Sequence, residues 1–171
     1  MGKEHNFQGQ YARALELYTQ SLEIKLKVYG PEHPEVAKVY AGMAFVHCQQ
    51  GEYARALELY TQSVEITCKV LGPVHPDVAS AYMHMADVHL KQGEYARALE
   101  LYTQSLEIKL KVHGPNHPDV ASAYSNMADL HLQQGEYARA LELLRQSLEI
   151  MTTVYGPDHP DVARVYSGMG K

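Results

Sequence analysis

Residues 93–134 read GEYARALELYTQSLEIKLKVHGPNHPDVASAYSNMADLHLQQ, and this stretch decides the fold because copies of it fill the chain. The copy at 51–92 is identical to it at 33 of 42 positions. The first tyrosine of the stretch recurs every 42 residues, at Tyr11, Tyr53, Tyr95 and Tyr137. A fixed period of about 20 to 50 residues is typical of a tandem repeat, in which each unit buries its apolar face against its neighbours. The sequence therefore predicts a single repeat array over 1–171.

Each copy is predicted to form two helices. The first carries one apolar stripe of Tyr95, Ala98, Leu99, Tyr102, Leu106, Leu110 and His113, and a second of Leu101, Ile108 and Val112. Two stripes indicate a helix that is packed on two sides. Gly114-Pro115 ends this helix, and Pro118 suits the first turn of the next, where its missing N–H costs nothing. The same phase predicts a partial helix over 1–8 and a truncated final helix over 160–171.

Composition excludes several classes of protein. The net charge is −5 and the pI is about 6.0, whereas nucleic-acid binding needs a basic face. We find no 18-residue apolar run and no signal peptide in the polar N-terminal residues, so neither a membrane span nor secretion is expected. Two cysteines, Cys48 and Cys68, form no disulfide framework and fit a reducing compartment. The expected location is the cytoplasm.

Ten histidines raise the question of a metal site. His47, His89 and His131 occupy equivalent positions on successive helices, which places neighbours about 10 Å apart. An ion that binds its ligands at about 2.0–2.1 Å cannot bridge that gap, so we interpret them as packing residues. The histidines that precede proline are expected to shape the turn; they are His33, His75, His117 and His159. No phosphate loop, nucleophile elbow or metalloprotease helix occurs, so we expect no metal, no cofactor and no catalysis.

A family resemblance follows from one recurrent set of residues, Tyr124, Met127, Ala128, Gly135, Tyr137 and Ala140. Their spacing resembles the tetratricopeptide repeat, whose ordinary form has about 34 residues. The 42-residue form with a GPxHP loop is similar to kinesin light chain repeats and to the repeat arrays of nucleotide-binding immune-type receptors. The resemblance implies an all-α, right-handed α-solenoid of tandem helix-turn-helix repeats. It also implies that the helix beginning at each loop proline, which is the first helix of the tetratricopeptide unit, lines a concave face.

The positions that the resemblance places on the concave face differ between copies, while packing positions such as Val78, Ala79 and Ala86 recur unchanged. Solvent-facing drift is the alternative explanation, but exposed positions such as Glu58 and Gln62 on the other helix do not drift. We therefore predict a peptide-binding surface formed by Lys38, Phe45, Gln49, Ser80, Met83, His84, Asp87, Lys91, Ser122, Ser125, Asn126, Asp129 and Gln133. The resemblance implies that Asn126 holds a peptide backbone, since an amide both donates and accepts.

The predicted function is that of a non-catalytic scaffold that binds a protein or peptide. The alternative is an architectural or self-associating rod, such as the sensor array of a larger signalling receptor. End-to-end association is also expected, because Val162, Tyr166 and Met169 in the last segment have no following repeat to cover them. Neither nucleic acid nor membrane is expected as a partner.

Overall fold

The structure of the protein is a computed structural model that describes the backbone over 2–169 and the side chains over 9–167. Within that range every regular element is an α-helix. In chain order they are α1 (Gly2–Tyr29), α2 (Pro34–Gln49), α3 (Tyr53–Leu71), α4 (Pro76–Lys91), α5 (Tyr95–His113), α6 (Pro118–Gln133), α7 (Tyr137–Tyr155) and α8 (Pro160–Met169). The predicted all-α fold of tandem helical repeats is confirmed. We call α2, α4, α6 and α8 the A helices and α1, α3, α5 and α7 the B helices.

Each A helix begins at a proline that follows a capping histidine. In the third copy Nδ1 of His117 accepts a hydrogen bond from the backbone N–H of Asp119 at 3.2 Å, and His33, His75 and His159 cap their helices in the same way. The capped N–H is one of those that a helix start leaves without a backbone partner. The loop histidines that the sequence assigns to the turn are therefore N-caps.

Each B helix from α3 onward begins after a glycine with positive φ, such as Gly51 at 78°. A hydrogen bond closes this turn, because Nδ1 of His47 donates to Oε2 of Glu52 at 2.6 Å. In the first copy Gly9 does not adopt positive φ, and residues 2–8 continue α1 instead of ending a separate A helix. Gln10 stands there in place of the turn's glutamate, so the carboxylate that accepts in the other copies is missing.

The chain forms two compact units, 1–88 and 89–171. In the first unit the core gathers alanines and larger side chains of α2, α3 and α4, namely Ala44, Cys48, Ala56, Leu59, Tyr60 and Val88. In the second, two clusters lie along α5 to α8; they contain Leu106, Val120, Ala121, Ala123, Ile150, Met151 and Val162, and Ala128, Ala140, Leu144 and Val165. Each cluster contains alanine, whose small side chain suits a contact between closely packed helices.

The two predicted stripes of α5 are buried in part. Ala98, Leu101, Tyr102, Leu106 and Ile108 are buried, whereas Val112 and His113 in the last turn are exposed. The predicted packing was wrong for those two residues, which lie in the last turn of α5. Within the described residues no helix has the combination of length and apolar character needed to cross a membrane.

Candidate functional site

The thirteen residues predicted to bind peptide all lie on A helices, namely α2, α4 and α6. Each of them is exposed or half-buried. Unchanged positions beside them on the same helices include buried ones, as Val78, Ala79 and Ala86 show with 1% exposure or less. The predicted residues therefore lie on the accessible side of the A helices, and the three constant positions Val78, Ala79 and Ala86 lie in the core.

In the second unit a groove of about 320 Å³ opens between α6 and α8, with α7 as its floor. Four predicted residues line it, namely Ser122, Ser125, Asn126 and Asp129. The other lining residues, which are not in the predicted set, are Leu144, Arg164, Val165 and Ser167. Arg164 and Ser167 are the repeat equivalents of Ser122 and Ser125, so the alignment of copies was the signal that could have found them.

In the first unit a smaller groove of about 170 Å³ lies in the corresponding place, between α2 and α4 over α3. Lys38, Ser80 and His84 of the predicted set line it, together with Ala41, Ser63, Thr67, Asp77 and Ala81. The remaining six predicted residues lie on the same helices outside the linings of these two grooves; they are Phe45, Gln49, Met83, Asp87, Lys91 and Gln133. The floor of this groove comes from Ser63 and Thr67 of the B helix α3, which carries none of the predicted residues.

Ion pairs set the charge at one end of the first-unit groove. Glu35 accepts hydrogen bonds from Nζ of Lys25 at 2.8 Å and from Nζ of Lys38 at 3.0 Å. These two bonds lower the pKa of Glu35 to about 2, and the bond from Lys25 has the larger effect. The bond to Glu35 in turn raises the pKa of Lys38. Both Lys38 and Glu35 are therefore charged at neutral pH, and the end of the groove combines a cation with acceptor oxygens.

An aromatic cluster lies at the other end of that groove. The His84 ring stacks on Tyr60 with centroids 5.7 Å apart, and Phe45 meets it edge-on at 6.4 Å. Burial raises the pKa of Tyr60, so its hydroxyl stays neutral. In the copy before, a Cβ on Gly42 would lie 2.6 Å from the ring of Tyr18. The residue at this repeat position therefore packs on a B-helix tyrosine, which means that packing, and not ligand binding alone, constrains its identity.

Hydroxyl and amide groups line the second-unit groove. The hydroxyls of Ser125 and Ser147 share a hydrogen bond of 2.9 Å between α6 and α7, and Ser122 donates to the Pro118 carbonyl at 3.0 Å. Arg164 reaches Asp161 at 3.7 Å. This surface offers donors and acceptors for a polar backbone, with one cation at its edge.

The three histidines that the sequence predicted to be packing residues, His47, His89 and His131, each bond to a glutamate. His131 is 6% exposed and donates from Nδ1 to Oε2 of Glu136 at 2.6 Å, and His89 pairs with Glu94 in the same way. The hydrogen bond from His131 is the main cause that lowers the pKa of Glu136, and the contact with Arg139 contributes less. These histidines combine packing with closure of the turn between an A helix and the following B helix. A different trio, His113, His117 and Asp119, brings possible metal ligands together.

The family is settled by a sequence profile described as Tetratricopeptide repeat, which matches residues 5–69, 35–111, 77–153 and 119–171. The chain belongs to the tetratricopeptide repeat family. Tetratricopeptide repeat proteins are generally non-catalytic scaffolds for protein–protein interaction. A search of curated proteins finds no significant match to this chain.

Two solved proteins illustrate which tetratricopeptide repeat proteins are similar. The putative kinesin light chain of Podosopora anserina, described as having nearly identical TPR-like repeats, is 27% identical with a TM-score of 0.73. That match covers 98% of this chain and 83% of the other; a single-residue variant of the same protein gives a TM-score of 0.74 over 98% and 82%. BtubC (BKLC) from P. vanneervenii has a TM-score of 0.84 at 20% identity, over 95% of this chain and 65% of that one, and supports the fold alone.

Proposed function

We propose that this tetratricopeptide repeat protein binds an extended segment of a partner protein along the accessible side of its A helices. The observation that carries the proposal is the coincidence of two independent patterns. Positions that vary between near-identical copies help to line an open groove in each unit, while constant positions on the same helices, such as Val78 and Val120, are buried. A scaffold whose packing residues are copied and whose groove residues differ is suited to recognise a partner by side chains.

The chemistry of the second-unit groove favours a polar peptide backbone. Asn126 can donate and accept at once, and Asp129 accepts N–H groups without regard to the side chain they belong to. The hydroxyls of Ser122 and Ser125 add acceptors along the same edge. An extended segment has unpaired amides that such groups can satisfy, so backbone hydrogen bonds supply affinity and neighbouring side chains supply selectivity.

Peptide selection on the full chain tests this proposal. A peptide is selected from a random library on the wild-type protein, and its affinity is then measured for the double variant Asn126→Ala with Asp129→Ala. Two hydrogen bonds lost at roughly 0.5–1.5 kcal/mol each predict an affinity about tenfold weaker. The melting temperature should change little, because neither side chain is buried in the core.

A control on the opposite helix separates groove binding from a general surface effect. Glu142 and Glu149 lie exposed on the B helix α7 of the same unit, and replacing both with alanine removes as many side chains. The selected peptide should bind this variant as it binds the wild type. Equal weakening by the two double variants would place the partner elsewhere and refute the A-helix assignment.

The second candidate, a self-associating rod, is favoured by one observation. Leu17 and Ile24 on α1 are 51% and 62% exposed, whereas their repeat equivalents Leu59 and Ile108 are 2% and 8% exposed. Sedimentation velocity over a wide concentration range distinguishes the two candidates. A species that stays monomeric throughout removes the rod and leaves peptide binding untouched.

A further inference from the structure

The loop at 114–117, the third with the GPxHP sequence, brings together a group of side chains that is found at no other loop within the described residues. His113 is the last residue of α5, His117 caps α6, and Asp119 lies in the first turn of α6. One possible ligand atom from each residue lies within 4.8 Å of those of the other two. Two imidazoles and a carboxylate are a ligand set that suits borderline transition ions such as Zn²⁺.

The carboxylate is already at a suitable distance from both rings. Oδ2 of Asp119 lies 3.5 Å from Nε2 of His113 and 3.6 Å from Nδ1 of His117. Two ligands of a tetrahedral zinc ion are about 3.4 Å apart when each bond is about 2.0–2.2 Å. The three side chains are 26%, 39% and 54% exposed, in the order His113, His117, Asp119, so an ion can reach them without opening the core.

Binding an ion requires a local rearrangement. The two imidazoles are stacked, with centroids 4.2 Å apart and planes 15° from parallel, whereas an ion must lie near the plane of each ring. Nδ1 of His117 also accepts the N–H of Asp119, and a metal bond at that nitrogen replaces the hydrogen bond. One ring turns edge-on, which their partial exposure permits, and these costs make the site weaker than a preformed one.

The other copies show what His113 adds. Its repeat equivalents are Tyr29, Leu71 and Tyr155. Tyr29 stacks on His33 at 4.3 Å and Tyr155 on His159 at 4.4 Å, which is the geometry of the imidazole pair. Tyrosine at this position thus preserves the loop. Stacking alone does not require an imidazole, and the substitution supplies the third ligand only in this copy.

We propose that His113, His117 and Asp119 form a binding site for a zinc-like divalent transition ion, with water completing its coordination. The site is separate from the proposed peptide grooves, because none of its three residues lines either one. Calorimetric titration of the untagged, metal-free full chain with Zn²⁺ at about pH 7.5, where histidine is mostly neutral, tests it. One saturable equivalent per chain is expected, together with a rise in melting temperature, and Mg²⁺ should produce neither.

The repeats provide matched variants. His113→Tyr restores the residue found in the first and fourth copies, so it should keep the metal-free melting temperature and lose the saturable equivalent. Tyr155→His should add a second equivalent in the fourth loop, where His159 and Asp161 already lie 3.7 Å apart. The proposal would be overturned if the wild type showed no saturable binding, or if His113→Tyr bound Zn²⁺ like the wild type. It would also be overturned if Tyr155→His still took only one equivalent.

Discussion

Leu59→Ala and Leu17→Ala make the same change at the same repeat position and should have different consequences for stability. Leu59 is 2% exposed in the core of the first unit, whereas Leu17 is 51% exposed on α1. The change removes three carbons, which at about 0.8 kcal/mol for each buried carbon gives about 2.4 kcal/mol at Leu59. The cavity left behind raises the loss of unfolding free energy to about 3–4 kcal/mol.

At Leu17 half of the side chain is already in water, and the change creates no closed cavity. The expected loss there is about 1 kcal/mol. The measurement is urea unfolding followed by far-ultraviolet circular dichroism at low micromolar protein. Repeat arrays can lose cooperativity, so the denaturant slope must agree between variants before the midpoints are converted to free energies.

Protein concentration makes this comparison informative about self-association. If a second copy covers α1, the loss caused by Leu17→Ala will grow as concentration increases, because the buried fraction of Leu17 grows with it. The loss caused by Leu59→Ala should not depend on concentration. Equal losses for the two variants in a strictly monomeric sample would refute the reasoning, since they would show that exposure does not determine the cost.

Three further changes test individual contacts. His131→Ala should lower the free energy of unfolding by about 1–3 kcal/mol, because the ring is buried and bonded to Glu136, and should leave Zn²⁺ binding unchanged. Glu35 has a folded pKa of about 2 against an ordinary value of 4.5, so its contribution to stability is complete above pH 4.5 and is lost as the pH falls towards 2. Glu35→Gln should therefore flatten the melting temperature over that interval, and an unchanged profile would contradict the assignment. Gly42→Ala displaces the outer end of the Tyr18 ring but gains about 0.5–1 kcal/mol of helix propensity. The free energy of unfolding should therefore stay within about 1 kcal/mol of the wild-type value, and a loss of more than about 2 kcal/mol would count against this balance.

The sequence by itself determined the period, the helices from Pro34 onward and the family. Periodicity and local chemistry suffice for these, because a proline after a histidine cap and a glycine with positive φ act within a few residues. The sequence also placed the thirteen variable residues on the A helices, since their distance from the loop proline is the same in every copy. Assignment of those residues to partner binding, the right-handed course and the cytoplasmic location stay predictions.

The tertiary structure decided whatever depends on the neighbours of a side chain. Leu17 and Leu59 have the same local sequence, and only the helices packed around them distinguish an exposed leucine from a buried one. The B-helix floor of each groove depends on distances between helices, which periodicity does not give. The same reason explains His113: its spacing placed it on an apolar stripe, but the position of the next helix brought its ring to His117 and Asp119.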